Sequence, residues 1–81
     1  MKEGSIAEVA IIIQNREAAA QQVNEILTQY GNFIVARLGV PFRERGLYLI
    51  SIVLEATEDE IRALTERLEQ VPEVKVKSIA V

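Results

Sequence analysis

Hydrophobic and polar positions along the chain divide it into six segments, four of strand type and two of helix type. Strand-type runs, rich in β-branched or alternating apolar residues, cover positions 6–13, 33–40, 47–55 and 73–81. Apolar residues at helical spacing predict two amphipathic helices between these runs. The first helical stripe is Ala19, Ala20, Val23, Ile26, Leu27 and Tyr30, and the second is Ile61, Leu64, Leu68 and Val71.

Capping residues mark the expected ends of both helices. Asn15 can cap the first helix through its side-chain oxygen, and Gly31 can end it in the left-handed conformation. Thr57 and Glu60 have the spacing of a capping box, in which each side chain accepts a hydrogen bond from the other residue's backbone N–H. Pro72 is expected to end the second helix.

The order of the elements predicts an α+β, ferredoxin-like βαββαβ fold in a single domain over residues 1–81. Right-handed crossovers would place both helices on one face of a four-stranded antiparallel sheet, with the first and third strands at its centre. Pro41 is expected to end the second strand, because proline cannot donate to the ladder, and residues 42–46 would form the turn.

The third strand is apolar on both of its faces, although the two helices can cover only one. The uncovered face is expected to carry Leu47, Leu49 and Val53, joined by one alternate set from the first strand. That set is either Val9, Ile11 and Ile13 or their neighbours. Exposed apolar surfaces usually mark interaction sites, and a monomer of this size buries only about 60–65% of its unfolded surface. We therefore predict a homo-oligomer, a dimer or a tetramer, that uses Leu47, Leu49 and Val53 at its interface.

Composition removes several classes of chemistry. The chain has no Cys and no His, which excludes disulfides, thiolate nucleophiles and imidazole catalysis, and we expect no catalytic residue, cofactor or metal. A net charge of −3 argues against nonspecific binding to nucleic acid or anionic membranes. No apolar run approaches the roughly 18 residues of a membrane span, and the first residues lack a signal-peptide pattern, so we expect a cytoplasmic protein.

Three arginines are the best candidates for binding a small anionic ligand. The guanidinium groups of Arg37, Arg43 and Arg45 can pair with carboxylate or phosphate, and their alternative role is as solvated or interchain salt-bridging side chains. Gln14 and Asn15 could add backbone amides at the start of the first helix, although ordinary capping explains Asn15 as well.

The segment 34–53 resembles the small bacterial family of iron-only hydrogenase system regulators, through Arg37, Gly39, Pro41 and the run Arg43, Glu44, Arg45 and Gly46. The opening strand followed by Asn15, Arg16 and Glu17 fits the same family. The resemblance implies an ACT-like fold, similar to the ligand-binding domain of nickel-responsive repressors, that assembles through its sheets and senses a small molecule. The nickel site of those repressors cannot be carried over, because its His and Cys ligands are absent, and direct repression is not expected without a DNA-binding module.

Two other classes of protein with this topology fit the residues less well. RNA-recognition domains share the topology, but at positions 45–52 only the opening Arg45 and Gly46 of their aromatic motif are kept, and Leu47 and Leu49 replace stacking rings. Acylphosphatases share it too, but their glycine-rich phosphate cradle is missing after the first strand. We predict a noncatalytic regulatory module that senses a small anionic metabolite at a subunit interface. Binding of single-stranded nucleic acid or a protein partner through the open face is the alternative.

Overall fold

Four strands and two α-helices follow one another in the predicted order in the computed structural model of the chain, which describes residues 4–14 and 16–81. The strands are β1 (Ser5–Gln14), β2 (Ile34–Phe42), β3 (Leu47–Ala56) and β4 (Val74–Ala80), and the helices are α1 (Arg16–Gln29) and α2 (Glu58–Glu69). Short 3₁₀ turns, Gly31–Phe33 and Arg43–Arg45, precede and follow β2. Asn15, the predicted cap of α1, lies outside the described residues. No helix in the described part of the chain has the length and apolar character needed to cross a membrane.

The sheet is antiparallel throughout and has the strand order β2-β3-β1-β4. The prediction that the first and third strands are central is therefore confirmed. Ile11 of β1 lies opposite Ile50 of β3 on one side and Val76 of β4 on the other. Since residues paired across a sheet point to the same face, this register decides which side chains meet the helices.

The core lies between the helices and one face of the sheet. From β1 it receives Val9, Ile11 and Ile13, each of which is fully buried, so the alternate set of Glu8, Ala10 and Ile12 occupies the other face. From β3 it receives Ile50, Ile52, Leu54 and Ala56. The predicted helical stripes pack against these residues, with Ala19, Val23 and Leu27 buried on α1 and Ile61, Leu64 and Leu68 on α2.

The capping box of α2 is confirmed. The Thr57 hydroxyl accepts a hydrogen bond from the Glu60 backbone N–H at 3.1 Å, and the Glu60 carboxylate accepts one from the Thr57 N–H at 2.9 Å. Asp59 also pairs with Arg62 at 3.0 Å on the exposed side of the helix. The helix ends at Glu69, three residues before Pro72, and the following Val71 is buried as predicted.

Two predicted ends are wrong. Gly31 is not left-handed, since positive φ angles in the described residues occur at Gly46 and Glu73. The chain instead leaves α1 through a right-handed 3₁₀ turn, in which the Phe33 N–H donates a hydrogen bond to the Tyr30 carbonyl at 2.9 Å. Pro41 does not end β2, which continues to Phe42 and pairs Pro41 with Tyr48. Because β2 is an edge strand, a backbone N–H that faces solvent forms no ladder hydrogen bond. Proline, which lacks this N–H, can occupy such a position without the loss of a bond.

Candidate functional site

The sheet face opposite the helices is uncovered, and its paired residues form rows across the strands. We call this surface the open face. Its three central rows are Val40, Leu49, Ile12 and Lys75; then Leu38, Ser51, Ala10 and Lys77; then Ala36, Val53, Glu8 and Ile79. Phe42, Leu47 and Gln14 form the row at one end, and Glu55 and Ile6 form the row at the other.

Large apolar side chains that remain exposed are concentrated on the open face. Among the described residues there are seven such side chains, and five of them lie in these rows: Ile6, Ile12, Leu38, Phe42 and Ile79. Leu38 is 60% exposed and Ile79 is 73% exposed. The predicted interface residues Leu47, Leu49 and Val53 lie beside them and are half-buried by their neighbours. The open face is therefore a continuous apolar surface, while the role of these three residues in an interface stays a prediction.

Charged groups on the open face are few, and most lie towards β4. The Ser51 hydroxyl donates a hydrogen bond to the Glu8 carboxylate at 3.0 Å, near the middle of the surface. Lys75 and Lys77 are exposed on β4 and form no ion pair with any residue that the structure describes. The sequence prediction leaves open which alternate set of β1 lies on this surface, and it does not include Leu38 or Lys77. Glu8, the one charge in the first apolar run, was the signal that could have identified the uncovered side of β1.

The two edges of the sheet are protected against pairing with another strand. The β2 edge carries Pro41 near one end and a bulge between Ile34 and Ala36 near the other. The β4 edge carries Lys75 and Lys77, whose charges discourage pairing with another strand. Proline, bulges and lysines are the usual devices against strand addition, so contact with another molecule is favoured at the open face.

Arg37 lies apart from the other two candidate arginines. It pairs with Ile52 across the sheet, which places it on the helix side, and its guanidinium donates a hydrogen bond to the Asn24 side-chain carbonyl on α1. Arg43 lies six positions further along the chain, in the turn that follows Phe42. At about 3.4 Å per residue, the strand between Arg37 and Phe42 spans about 17 Å. One small ligand would not reach all three arginines of a single chain, and a ligand role for Arg37 stays a prediction.

Arg43 and Arg45 lie together in the turn between β2 and β3. Gly46 closes the turn in the left-handed conformation with φ 66°, and its N–H donates to the Arg43 carbonyl at 3.2 Å. Both arginines are exposed, and neither forms an ion pair with a described residue. With Pro41, Phe42 and Glu44 they line a shallow depression that adjoins the end row of the open face. Two unpaired guanidinium groups at this position can bind an anion.

Gln14 lies at the same end of the sheet as this turn. It pairs with Leu47, two strands from Phe42 or about 10 Å away, and its N–H donates to the Glu73 carbonyl at 2.9 Å. Its side chain is exposed. The structure therefore places Gln14 near the Arg43 and Arg45 turn, while Asn15 lies outside the described residues. In the described ranges no three Asp or Glu side chains converge as a metal site would require.

Comparisons with known proteins agree with this architecture. Residues 5–78 match the family model described as "TM1266-like: Iron-only hydrogenase system regulator, putative". The structure of uncharacterized protein TM1266 from Thermotoga maritima is 35% identical, with a TM-score of 0.94 over 98% of this chain and 99% of that one. The ACT domain from GTP pyrophosphokinase of Chlorobium tepidum is 14% identical, with a TM-score of 0.81 over 95% of this chain and 100% of that domain, and it shows the fold alone. No protein of curated function matches the chain. The predicted ACT-like, ferredoxin-like fold is confirmed.

Proposed function

Since the chain belongs to the family of iron-only hydrogenase system regulators, we propose that it is a noncatalytic, cytoplasmic regulatory module that self-assembles through its open face. Membership of this family confirms the resemblance seen in the sequence. The observation that carries the proposal is the continuous apolar surface on the side of the sheet that the helices leave uncovered. A second copy of the chain is the partner that we propose for it.

The area of the open face supports a second copy as its partner. Four strands about 4.8 Å apart and five rows about 6.8 Å apart give a surface of roughly 19 by 34 Å, or roughly 650 Å². Two such faces in full overlap, with their strands aligned, would bury roughly 1,300 Å² in total, which is at the lower end of the range for stable protein interfaces. The protected edges of the sheet favour this face-to-face contact over an extended sheet.

We further propose that the module responds to a small anion held near the subunit boundary by Arg43 and Arg45, with Gln14 nearby. The turn adjoins Phe42 and Leu47, so a second copy on the open face would lie close to it. A ligand that touches both copies stabilises the assembled state by mass action. It would thereby change which surface the oligomer presents to a downstream protein partner.

The alternative of single-stranded nucleic-acid binding gains little support from the geometry. Among the described residues of the open face, Phe42 supplies the one aromatic ring, whereas Tyr48 points to the helix side of the sheet. Bases bound on such a sheet would need a row of rings, each worth about 1–3 kcal/mol in stacking.

Two matched variants on β2 test the self-assembly proposal. Leu38 and Val35 are both exposed apolar residues, 60% and 69% respectively, but Leu38 lies in a central row of the open face and Val35 lies at the bulge. In light scattering, Leu38→Glu is expected to fall to the monomer mass and Val35→Glu to keep the mass of the parent. Circular dichroism should show that both variants are folded, since neither residue is buried in the chain. Equal masses for both variants would contradict the proposal.

A thermal-shift experiment tests the anion site. Inorganic phosphate and small dicarboxylates are the probes, and a raised melting temperature in the parent is the expected response. The response should be lost in Arg43→Ala and Arg45→Ala and kept in Arg62→Ala, which removes an exposed arginine paired with Asp59 on α2. The site proposal fails if none of the anions stabilises the parent or if Arg62→Ala loses as much of the response as the turn variants.

A further inference from the structure

Glu8 and Lys77 are the opposite charges closest to the centre of the surface that self-assembly would bury, whereas Lys75 and Glu55 lie nearer its rim. The Glu8 carboxylate accepts one hydrogen bond from Ser51. Lys77 lies on the neighbouring strand, one row away, and forms no ion pair with a described residue. Burying either charge without a partner costs several kcal/mol, so a face-to-face dimer that pairs them is favoured.

The positions of these two residues decide which dimer can pair them. The centre of the open face lies between Ser51 and Ala10, in the row that also contains Lys77. Lys77 is displaced from that centre across the strands by one and a half strand spacings, about 7 Å. Glu8 is displaced mainly along the strands by one row, also about 7 Å. The two displacements are equal in length and nearly perpendicular.

We infer, on the premise of the proposed self-assembly, that the second copy crosses the open face with its strands nearly perpendicular, so that Lys77 of each copy pairs with Glu8 of the other. A two-fold axis that lies in the plane of the interface, along the diagonal of the face, turns the second copy so that its strands run across those of the first. A residue that is displaced across the strands in one copy then lies above a position displaced by the same distance along the strands of the other. Each lysine of the pair then lies above the other copy's glutamate. Near-perpendicular crossing is one of the two established ways in which sheets pack face to face. Crossed faces overlap over roughly 19 by 19 Å, so this dimer would bury roughly 720 Å² in total, the size of a weak contact that depends on protein concentration.

Aligned strands do not pair these charges. With the two-fold axis parallel to the strands, Lys77 of one copy lies above Leu38 of the other. With the axis perpendicular to the strands, Lys77 lies against Lys77 of the other copy. Both arrangements place Glu8 against apolar residues of the second copy, so of these three arrangements the crossed dimer is the one that sets each charge against its opposite on the other copy.

Mixing two charge-reversed variants tests the crossed dimer. In the crossed arrangement, Glu8→Lys alone places lysine against lysine at both contacts, and Lys77→Glu alone places glutamate against glutamate. Each variant is expected to dissociate at concentrations where the parent is assembled. An equimolar mixture restores opposite charges at both contacts, so it should recover the mass of the parent and bind at least about tenfold more tightly than either variant with itself.

Lys75→Glu is the matched control, since it changes the net charge as Lys77→Glu does but lies one row away from the proposed contact. The Lys75→Glu variant alone should keep the mass of the parent, and mixing it with Glu8→Lys should not yield a complex of the two variants. Should Glu8→Lys fail to fold by circular dichroism, Glu8→Gln replaces it, and mixing it with Lys77→Glu should still restore assembly. A parent that is monomeric overturns the proposed self-assembly itself. An assembled parent whose folded charge variants do not recover on mixing overturns the crossed arrangement alone.

Discussion

Removal of the Thr57 hydroxyl should lower the stability of the fold by an amount that the capping geometry sets. In Thr57→Ala the Glu60 backbone N–H loses the hydrogen bond that it donates at 3.1 Å, while the Glu60 side chain can still accept from the backbone of residue 57. Loss of one N-cap side chain costs about 1 kcal/mol of unfolding free energy. For 81 residues the entropy of unfolding is about 0.17 kcal/mol/K, so the melting temperature should fall by about 6 °C.

Thr28→Ala is the control for this prediction. Thr28 is also exposed, but its hydroxyl donates to the Asn24 carbonyl at 2.8 Å within α1 and caps nothing. Alanine is the better helix former, so this variant should be neutral or slightly stabilised. Thermal unfolding followed by circular dichroism at one fixed protein concentration measures both. The capping role of Thr57 is wrong if Thr57→Ala melts within about a degree of the parent, or if the two variants lose equal stability.

Two further predictions concern packing and backbone conformation. Leu64 is fully buried between α2 and the sheet, so Leu64→Ala should cost about 2–5 kcal/mol in urea unfolding; a cost below about 1 kcal/mol would mean that the core closes around the gap. Gly46 has φ 66°, and a Cβ atom added there would meet nothing within 4 Å, so Gly46→Ala should lose about 1 kcal/mol through backbone strain alone. Gly46→Asn should recover part of that loss in the same thermal assay, because Asn tolerates this conformation, and equal losses for Ala and Asn would contradict the explanation.

Local signals explain why most of the fold could be predicted from the sequence. The capping box at Thr57 and Glu60, the helical stripes and the short connections each act over a few residues, and together they determine the element order. The side of β1 that meets the helices could not be assigned, because Val9, Ile11 and Ile13 alternate with a second set that includes Ile12. Glu8 belongs to that second set and explains why the second set faces away from the helices, since a carboxylate is the costliest of these groups to bury in the core.

The edge strand β2 explains most of what sequence reasoning missed. A bulge between Ile34 and Ala36 shifts the pairing, so the face of each later residue depends on a register that no local pattern reveals. This register places Arg37 on the helix side, where its guanidinium donates a hydrogen bond to the Asn24 side chain, and it places Leu38 on the open face. Edge position also explains why Pro41 is tolerated inside the strand. The three arginines that are close in sequence are therefore divided between two places.

Light scattering of the unmodified chain across a dilution series is the most direct test of the open face as a self-assembly surface. We expect a mass of at least twice the 9.1 kDa of one chain, with dissociation only on dilution. A mass of 9.1 kDa at every concentration would contradict it and would leave the apolar face to a different protein or to a nucleic acid.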